Sequence, residues 1–228
     1  MMRDVQPGAQ PGMWNQANVS MGVLELFPEV WSAAEALCGP DEKLRREGLA
    51  RLDEMGAPRL SPLIAYLIAT RLSDSDLELR TRAVRILGDL LALDAQGNAT
   101  PETVRRYLVA KLSQMRTRDA YHLLEVVVAE PDTAPYVSRL LDACPYAGRH
   151  LADIATDRML PVAQRKQAVL FIGAVGYLDA IYPLEKLAAR LQARRNGQQS
   201  MPFAPPLQAD ESELLPIVTS VLMLLQAP

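Results

Sequence analysis

Cysteine, histidine and aromatic residues are all scarce in this chain, and positive charge has no majority. Two cysteines occur, Cys38 and Cys144, far apart and outside any CxxC pair. That spacing argues against a disulfide framework or a zinc ribbon, and each thiol falls near the end of a predicted helix, where it reads as buried in a reducing compartment. Two histidines occur, His122 and His150, and neither belongs to HExxH or to a Cys/His cluster. Aromatics make up 5% of the residues while Leu and Ala abound, a balance that favours helices over a sandwich or barrel. Lys and Arg number 24 against 27 Asp and Glu, for a net charge of −3, so no global positive field recruits nucleic acid or anionic lipid. No run of eighteen apolar residues exists to cross a bilayer, and the N-terminus lacks the apolar core of a signal peptide. The expected location is the cytoplasm. GxSxG, P-loop and GxGxxG patterns are missing as well.

What the sequence does contain is repetition. The pattern Arg-x-x-(Ala/Gly)-(Val/Leu)-x-x-(Leu/Ile) occurs at Arg45 to Leu52, at Arg80 to Leu87 and at Arg165 to Ile172. The first two copies begin 35 residues apart, counted from Arg45 to Arg80, and the third begins 85 residues further on, room for two more units of about 40. Ala or Gly in the middle of the pattern lets helices approach closely, and the flanking Val, Leu and Ile supply a buried stripe. A helix pair built this way cannot hide both its faces, so neighbouring pairs must stack into one continuous core.

Local signals divide the chain. Residues 1–20 are rich in Gln, Pro, Gly and Asn and read as a flexible tail, with Trp14 either docking on the first helix or anchoring a partner. Helical spacing then starts at Met21, with Pro28 limiting or kinking the first turn. Predicted helices follow at about 42–55, 62–72, 77–93, 101–115, 118–129, 133–143, 147–158, 162–176 and 178–195. Asp41, Ser61 and Thr100 are placed as N-caps, the last followed by Pro101 and Glu102 as a start signal. Gly56-Ala57-Pro58 reads as a break that ends the 42–55 helix, and Pro183 implies that the 178–195 element is bent or begins properly only near Tyr182. Residues 196–210 form a polar, proline-rich loop. Residues 211–228 hold a densely apolar helix that either caps the array or binds a partner.

The three motif copies, with the links Gly39-Pro40-Asp41 and Ser73-Asp74-Ser75-Asp76 before two of them, resemble HEAT repeats over roughly residues 22–195. The resemblance implies an all-α fold, an α-solenoid of about four to five stacked antiparallel helix pairs over residues 21–195. It also implies that the link aspartates and motif arginines form a structural ladder, made here of Asp41, Arg45, Asp76, Arg80 and Arg165. The third copy departs from the pattern, since its link is Met159-Leu160-Pro161 and its aspartate lies earlier, at Asp157.

Such arrays usually bind rather than catalyse, and the expected function is a non-enzymatic protein–protein interaction scaffold or adaptor. Asp153 and Asp157 share a helix face, a common spacing to which no acid–base role is given, and no catalytic residue, metal ligand or cofactor is assigned. Two readings stand for the basic residues Arg82, Arg85, Arg105, Arg106, Lys111, Arg116 and Arg118: a solvated face balanced by neighbouring carboxylates, or a patch for acidic peptide, phosphate or nucleic acid. Leu222 and Leu225 are the candidate partner-binding residues of the last helix. HEAT-like enzymes are the alternative. A bilin lyase has too weak a signature to test from residues, whereas the acidic balance and scarce Trp count against a DNA glycosylase. Nucleic-acid binding without catalysis is a third, disfavoured reading, and the oligomeric state stays open.

Overall fold

Side-chain caps set where several helices begin. The computed structural model describes residues 27–195 and 213–227. The expected tail with Trp14, the start of the first helix at Met21, the 196–210 loop and residues 211–212 lie outside the described residues. Helix α1, Pro28–Cys38, opens on Pro28 in its first turn, where a missing N–H costs no intrahelical bond. Helix α2, Glu42–Glu54, is capped by Asp41, whose carboxylate accepts from the Leu44 N–H at 2.8 Å. Helix α3, Ala57–Leu60, occupies the stretch read as a break. Gly56 turns the chain there with φ +66°, and Ala57 and Pro58 are buried, so the breaker residues start a helical turn instead of ending the structure.

Ser61 caps helix α4, Pro62–Thr70, by accepting from the Ile64 N–H at 3.2 Å. After a 3-10 turn at Arg71–Ser73, Asp76 caps helix α5, Leu77–Leu90, through the Glu78 N–H. Helix α6 spans Glu102–Leu112. Its N-cap is Pro101, one residue later than expected, with ψ 134° outside the helical region; Thr100 is buried and its hydroxyl does not cap the helix. Helices α7 (Thr117–Ala129), α8 (Ala134–Asp142), α9 (Ala147–Thr156) and α10 (Val162–Val175) follow. A 3-10 turn at Leu178–Ala180 leads into α11, Ile181–Arg195, which tolerates Pro183 in its first turn. Helix α12 is Leu214–Leu225. Among the described residues there is no β-strand, only an isolated bridge between Leu93 and Ala99. The protein is all-α.

Packing follows chain order. Helix α1 lies on α2 and touches α4, and α4 packs on α6. Helix α2 touches α5, which packs on α8 and also meets α7; α7 in turn meets α9 and α10. Helices α10 and α11 both pack against α12. One continuous apolar core runs through these contacts from Val30 to Val221.

The motif positions are buried alike in all three copies. Arg45, Gly48, Leu49 and Leu52, then Arg80, Ala83, Val84 and Leu87, then Arg165, Ala168, Val169 and Ile172 are all buried. At Gly48 the helices come close enough that a Cβ would lie 2.6 Å from both the Ala33 carbonyl oxygen and the Leu37 amide nitrogen of α1. A Cβ at Gly173 of α10 would lie 2.9 Å from Val221 Cγ2, so α12 is seated on α10 at close range.

Candidate functional site

The motif arginines face inward onto the links between helices. Arg45 donates to the Pro40 carbonyl at 2.7 Å and to Asp74 Oδ1 at 2.9 Å, with both charged side chains almost wholly buried. Arg80 donates to the Asp74 carbonyl at 2.8 Å and pairs with Glu125 of α7 at 3.1 Å. Arg165 donates from Nε to the Ala155 carbonyl at 3.1 Å. Each arginine thus satisfies a carbonyl of the chain that leads into its own helix, in the link for Arg45 and Arg80 and in the last turn of α9 for Arg165, and the first two also reach a carboxylate of a following element.

The carboxylates in these contacts differ from those expected. Asp41 and Asp76 serve as caps, and the partners of Arg45 and Arg80 are Asp74 and Glu125. Asp76 is instead gripped by Arg46, through Nε and through Nη2 at 2.8 Å, while Arg46 also meets Glu78 at 2.8 Å. The Arg46 hydrogen bond is the main reason that the Asp76 carboxyl lies below the usual carboxylate range, against the opposing effect of burial.

The basic residues grouped in the sequence separate onto two surfaces. On one, carboxylates neutralise them. Arg82 meets Asp53 at 3.3 Å, and Arg85 meets Glu130 at 2.8 Å and Asp132 at 2.9 Å while lying over the Tyr136 ring. Arg139 covers the same ring and approaches Asp89 at 3.9 Å. A shallow groove of about 380 Å³ lies here, lined by Asp53, Arg59, Arg82, Arg85 and Asp89 among others. Burial pushes the Asp89 carboxyl up.

On the other surface, α6 carries Arg105, Arg106 and Lys111, and no carboxylate of the described residues comes within ion-pair distance of them. Arg106 lies 5.7 Å from the centre of the Tyr107 ring and Lys111 lies 5.6 Å from that of Tyr66 on α4. Arg116 and Arg118 stand beyond them at the start of α7. The Arg116 backbone N–H is held by Asp119 at 2.9 Å, and Arg118 donates to His122 Nε2 at 3.4 Å.

Apolar side chains continue this second surface. Trp31 on α1 is 53% exposed and borders a groove of about 290 Å³ with Ala34, Glu35, Cys38, Leu63 and Leu67. Trp31 Nε1 donates to Glu35 at 2.7 Å. Leu63, Tyr66 and Leu67 are exposed or half-buried and share one face of α4, while Tyr107 and Lys111 are one turn apart on α6. A continuous strip therefore runs from Trp31 across α4 to Tyr107. Sequence reasoning missed it, because Trp31 fitted the apolar period of the first helix. The separable signal is that Val30, Ala33, Ala34 and Leu37 already complete a buried stripe, which leaves Trp31 off it.

Leu222 and Leu225 are half-buried against the core, and the large hydrophobic residues that α12 exposes are Met223 and Leu224. One expectation is corrected here. Cys38 is exposed beside Trp31; only Cys144 is buried, and burial pushes its thiol up. His122 Nδ1 lies 2.9 Å from Glu125, the carboxylate that also holds Arg80, and His150 Nδ1 lies 2.9 Å from the Thr117 hydroxyl. Asp157 accepts from the Met159 N–H at 2.8 Å as a turn residue. Among the described residues no group of three or more His, Cys, Asp or Glu side chains is placed to hold a metal ion, and no helix is long and apolar enough to cross a membrane. No family model, curated protein or solved structure matches the chain.

Proposed function

We infer that the chain is a HEAT-like α-solenoid acting as a non-enzymatic protein–protein interaction scaffold or adaptor in the cytoplasm, with a partner bound on its surface. Support for the solenoid comes from the equal burial of the three motif copies and from helices that pack against elements one to three places along the chain. The carbonyl contacts of Arg45, Arg80 and Arg165 recur with the motif, although Asp41 and Asp76, the aspartates expected in the ladder, act as helix caps.

The observation that carries the binding role is the exposed strip of Trp31, Leu63, Tyr66 and Tyr107, beside cations that lack acidic partners among the described residues. Large apolar side chains and aromatics gathered on one face of a water-exposed surface mark binding sites more often than scattered ones do. The charged groove around Arg82 and Arg85 is the weaker candidate, because its arginines are already satisfied internally.

The test is capture of partners by tagged full-length chain from the native cell, followed by cross-linking and mass spectrometry. Expected is a stoichiometric partner cross-linked to α1, α4 or α6. A lone monomer with no partner under the same conditions would contradict the scaffold reading.

A further inference from the structure

The geometry points to an acidic amphipathic helix of a partner protein as the ligand of the α1–α4–α6 strip, with its apolar side chains in the Trp31 groove and its carboxylates on Arg106 and Lys111. This rests on the scaffold reading and adds the chemistry of the partner. Three features of the strip lead to it. The end at Trp31, Ala34, Leu63 and Leu67 is apolar, which suits aliphatic side chains spaced along a helix. The end at α6 is cationic and has no ion-pair partner among the described residues, whereas Arg82 and Arg85 on α5 are matched by carboxylates of the chain itself. Neighbouring helices lie about 8–10 Å apart, so a strip across three of them spans about 16–20 Å, the length of a helix of about 11–13 residues.

The cations also decide between an acidic peptide and a nucleic acid. Lys111 and Arg106 sit over the faces of Tyr66 and Tyr107, the faces on which unpaired bases would stack. A cation on a ring keeps its outer side open to a carboxylate. The chain as a whole carries a net charge of −3, which opposes a polyanion and leaves a short acidic segment to be steered locally. Glu35, held by Trp31 Nε1, is the one carboxylate lining the apolar end, and it sets the direction of the ligand helix by repelling acidic groups there.

The test is fluorescence anisotropy of labelled probes titrated with the full-length chain at moderate salt. The probes are a Leu/Glu amphipathic helix of about 14 residues, the same helix with Lys in place of every Glu, and single-stranded oligo-dT of similar length. Expected is binding of the Leu/Glu probe, weakened about tenfold or more by Trp31→Ala. Arg106→Glu with Lys111→Glu should reverse the preference, so that the Leu/Lys probe binds better than the Leu/Glu probe. These residues are at the surface, so circular dichroism should show an unchanged fold; Leu63→Ser provides a second variant of the apolar end.

Failure of the charge swap to reverse the preference would overturn the proposal, as would no detectable binding of the Leu/Glu probe. Oligo-dT bound more tightly than the peptide and lost in the same charge-reversal variant would overturn it in favour of nucleic acid. A wild-type dimer that Trp31→Ala makes monomeric would give the strip to a second copy of this chain. Tighter probe binding by full-length Val23→Asp/Leu24→Asp would give it to the chain's own N-terminal segment. A partner captured from the cell equally well by the charge-reversal variant would keep the scaffold reading and remove this surface from it.

Discussion

Substituting Gly48 by alanine sets two effects of opposite sign against each other. In the middle of an exposed helix, Gly→Ala gains about 1 kcal/mol from backbone entropy. Gly48 of α2 is not exposed: its Cβ would sit 2.6 Å from Ala33 O and from Leu37 N, and 3.1 Å from Ala36 Cβ. The first two are backbone atoms within α1, so they recede only if the whole of α1 moves. Overpacking of this kind costs about 1–3 kcal/mol and sometimes more, and against backbone the upper part of that range applies. The net effect is a loss of about 1–2 kcal/mol, or about 2–8 °C in Tm for a chain of this size. Urea unfolding and thermal melts followed by circular dichroism measure it, and Gly48→Val should cost more than Gly48→Ala. An unchanged or raised Tm for Gly48→Ala would refute the close α1–α2 approach and with it the reason for a small residue at the centre of the motif.

Three further outcomes are expected. Under native conditions a thiol reagent should label one cysteine quickly, Cys38, and reach Cys144 only on unfolding; two fast equivalents would contradict the burial of Cys144. The Asp76 carboxyl has a folded pKa below its unfolded value near 3.9, so it contributes stability above about pH 4 that is lost as pH falls through the folded value. The stability gap between wild type and Asp76→Asn should therefore shrink below about pH 4, and a gap unchanged down to pH 2 in urea titrations would remove that contribution. Arg45→Met and Asp74→Asn should each destabilise the chain by several kcal/mol, about 3–5 for a buried pair that loses one partner. The double variant should cost clearly less than the sum of the two, and simple additivity would show that the pair does not act as a unit.

Much of the helix plan was legible because its signals are local. Asp41 and Ser61 precede their helices with a side-chain acceptor, and Gly176, with φ +83°, ends α10 where the sequence breaks. Where the local chemistry serves two ends, only one was read. Gly56-Ala57-Pro58 does follow the end of α2, and its left-handed turn with Pro in a new first turn also starts the short α3. Thr100-Pro101-Glu102 reads as a capping Thr followed by Pro in the first turn, whereas the helix starts one residue later, with Pro101 at the N-cap position.

Partners across the fold were less legible. Asp74 and Asp76 are two residues apart and chemically alike, so the motif could not tell which one Arg45 meets. The basic residues from Arg82 to Arg118 could be read as one patch or as a solvated face because they fall on neighbouring predicted helices. They span α5, α6 and α7, and packing places Arg82 and Arg85 among carboxylates while Arg106 and Lys111 stay on tyrosine rings. In α12 nearly every residue is apolar, so no periodicity could show that Leu222 and Leu225 turn inward and Met223 and Leu224 outward.

The most direct test of the scaffold role is parallel purification of tagged wild-type chain and a Trp31→Ala/Leu63→Ser variant from the native cell, with quantitative mass spectrometry and light scattering of the eluates. A partner at fixed stoichiometry with wild type, and depleted about tenfold or more with a variant that is still folded, is the expected result. Wild-type chain that elutes alone as a monomer would contradict the scaffold role.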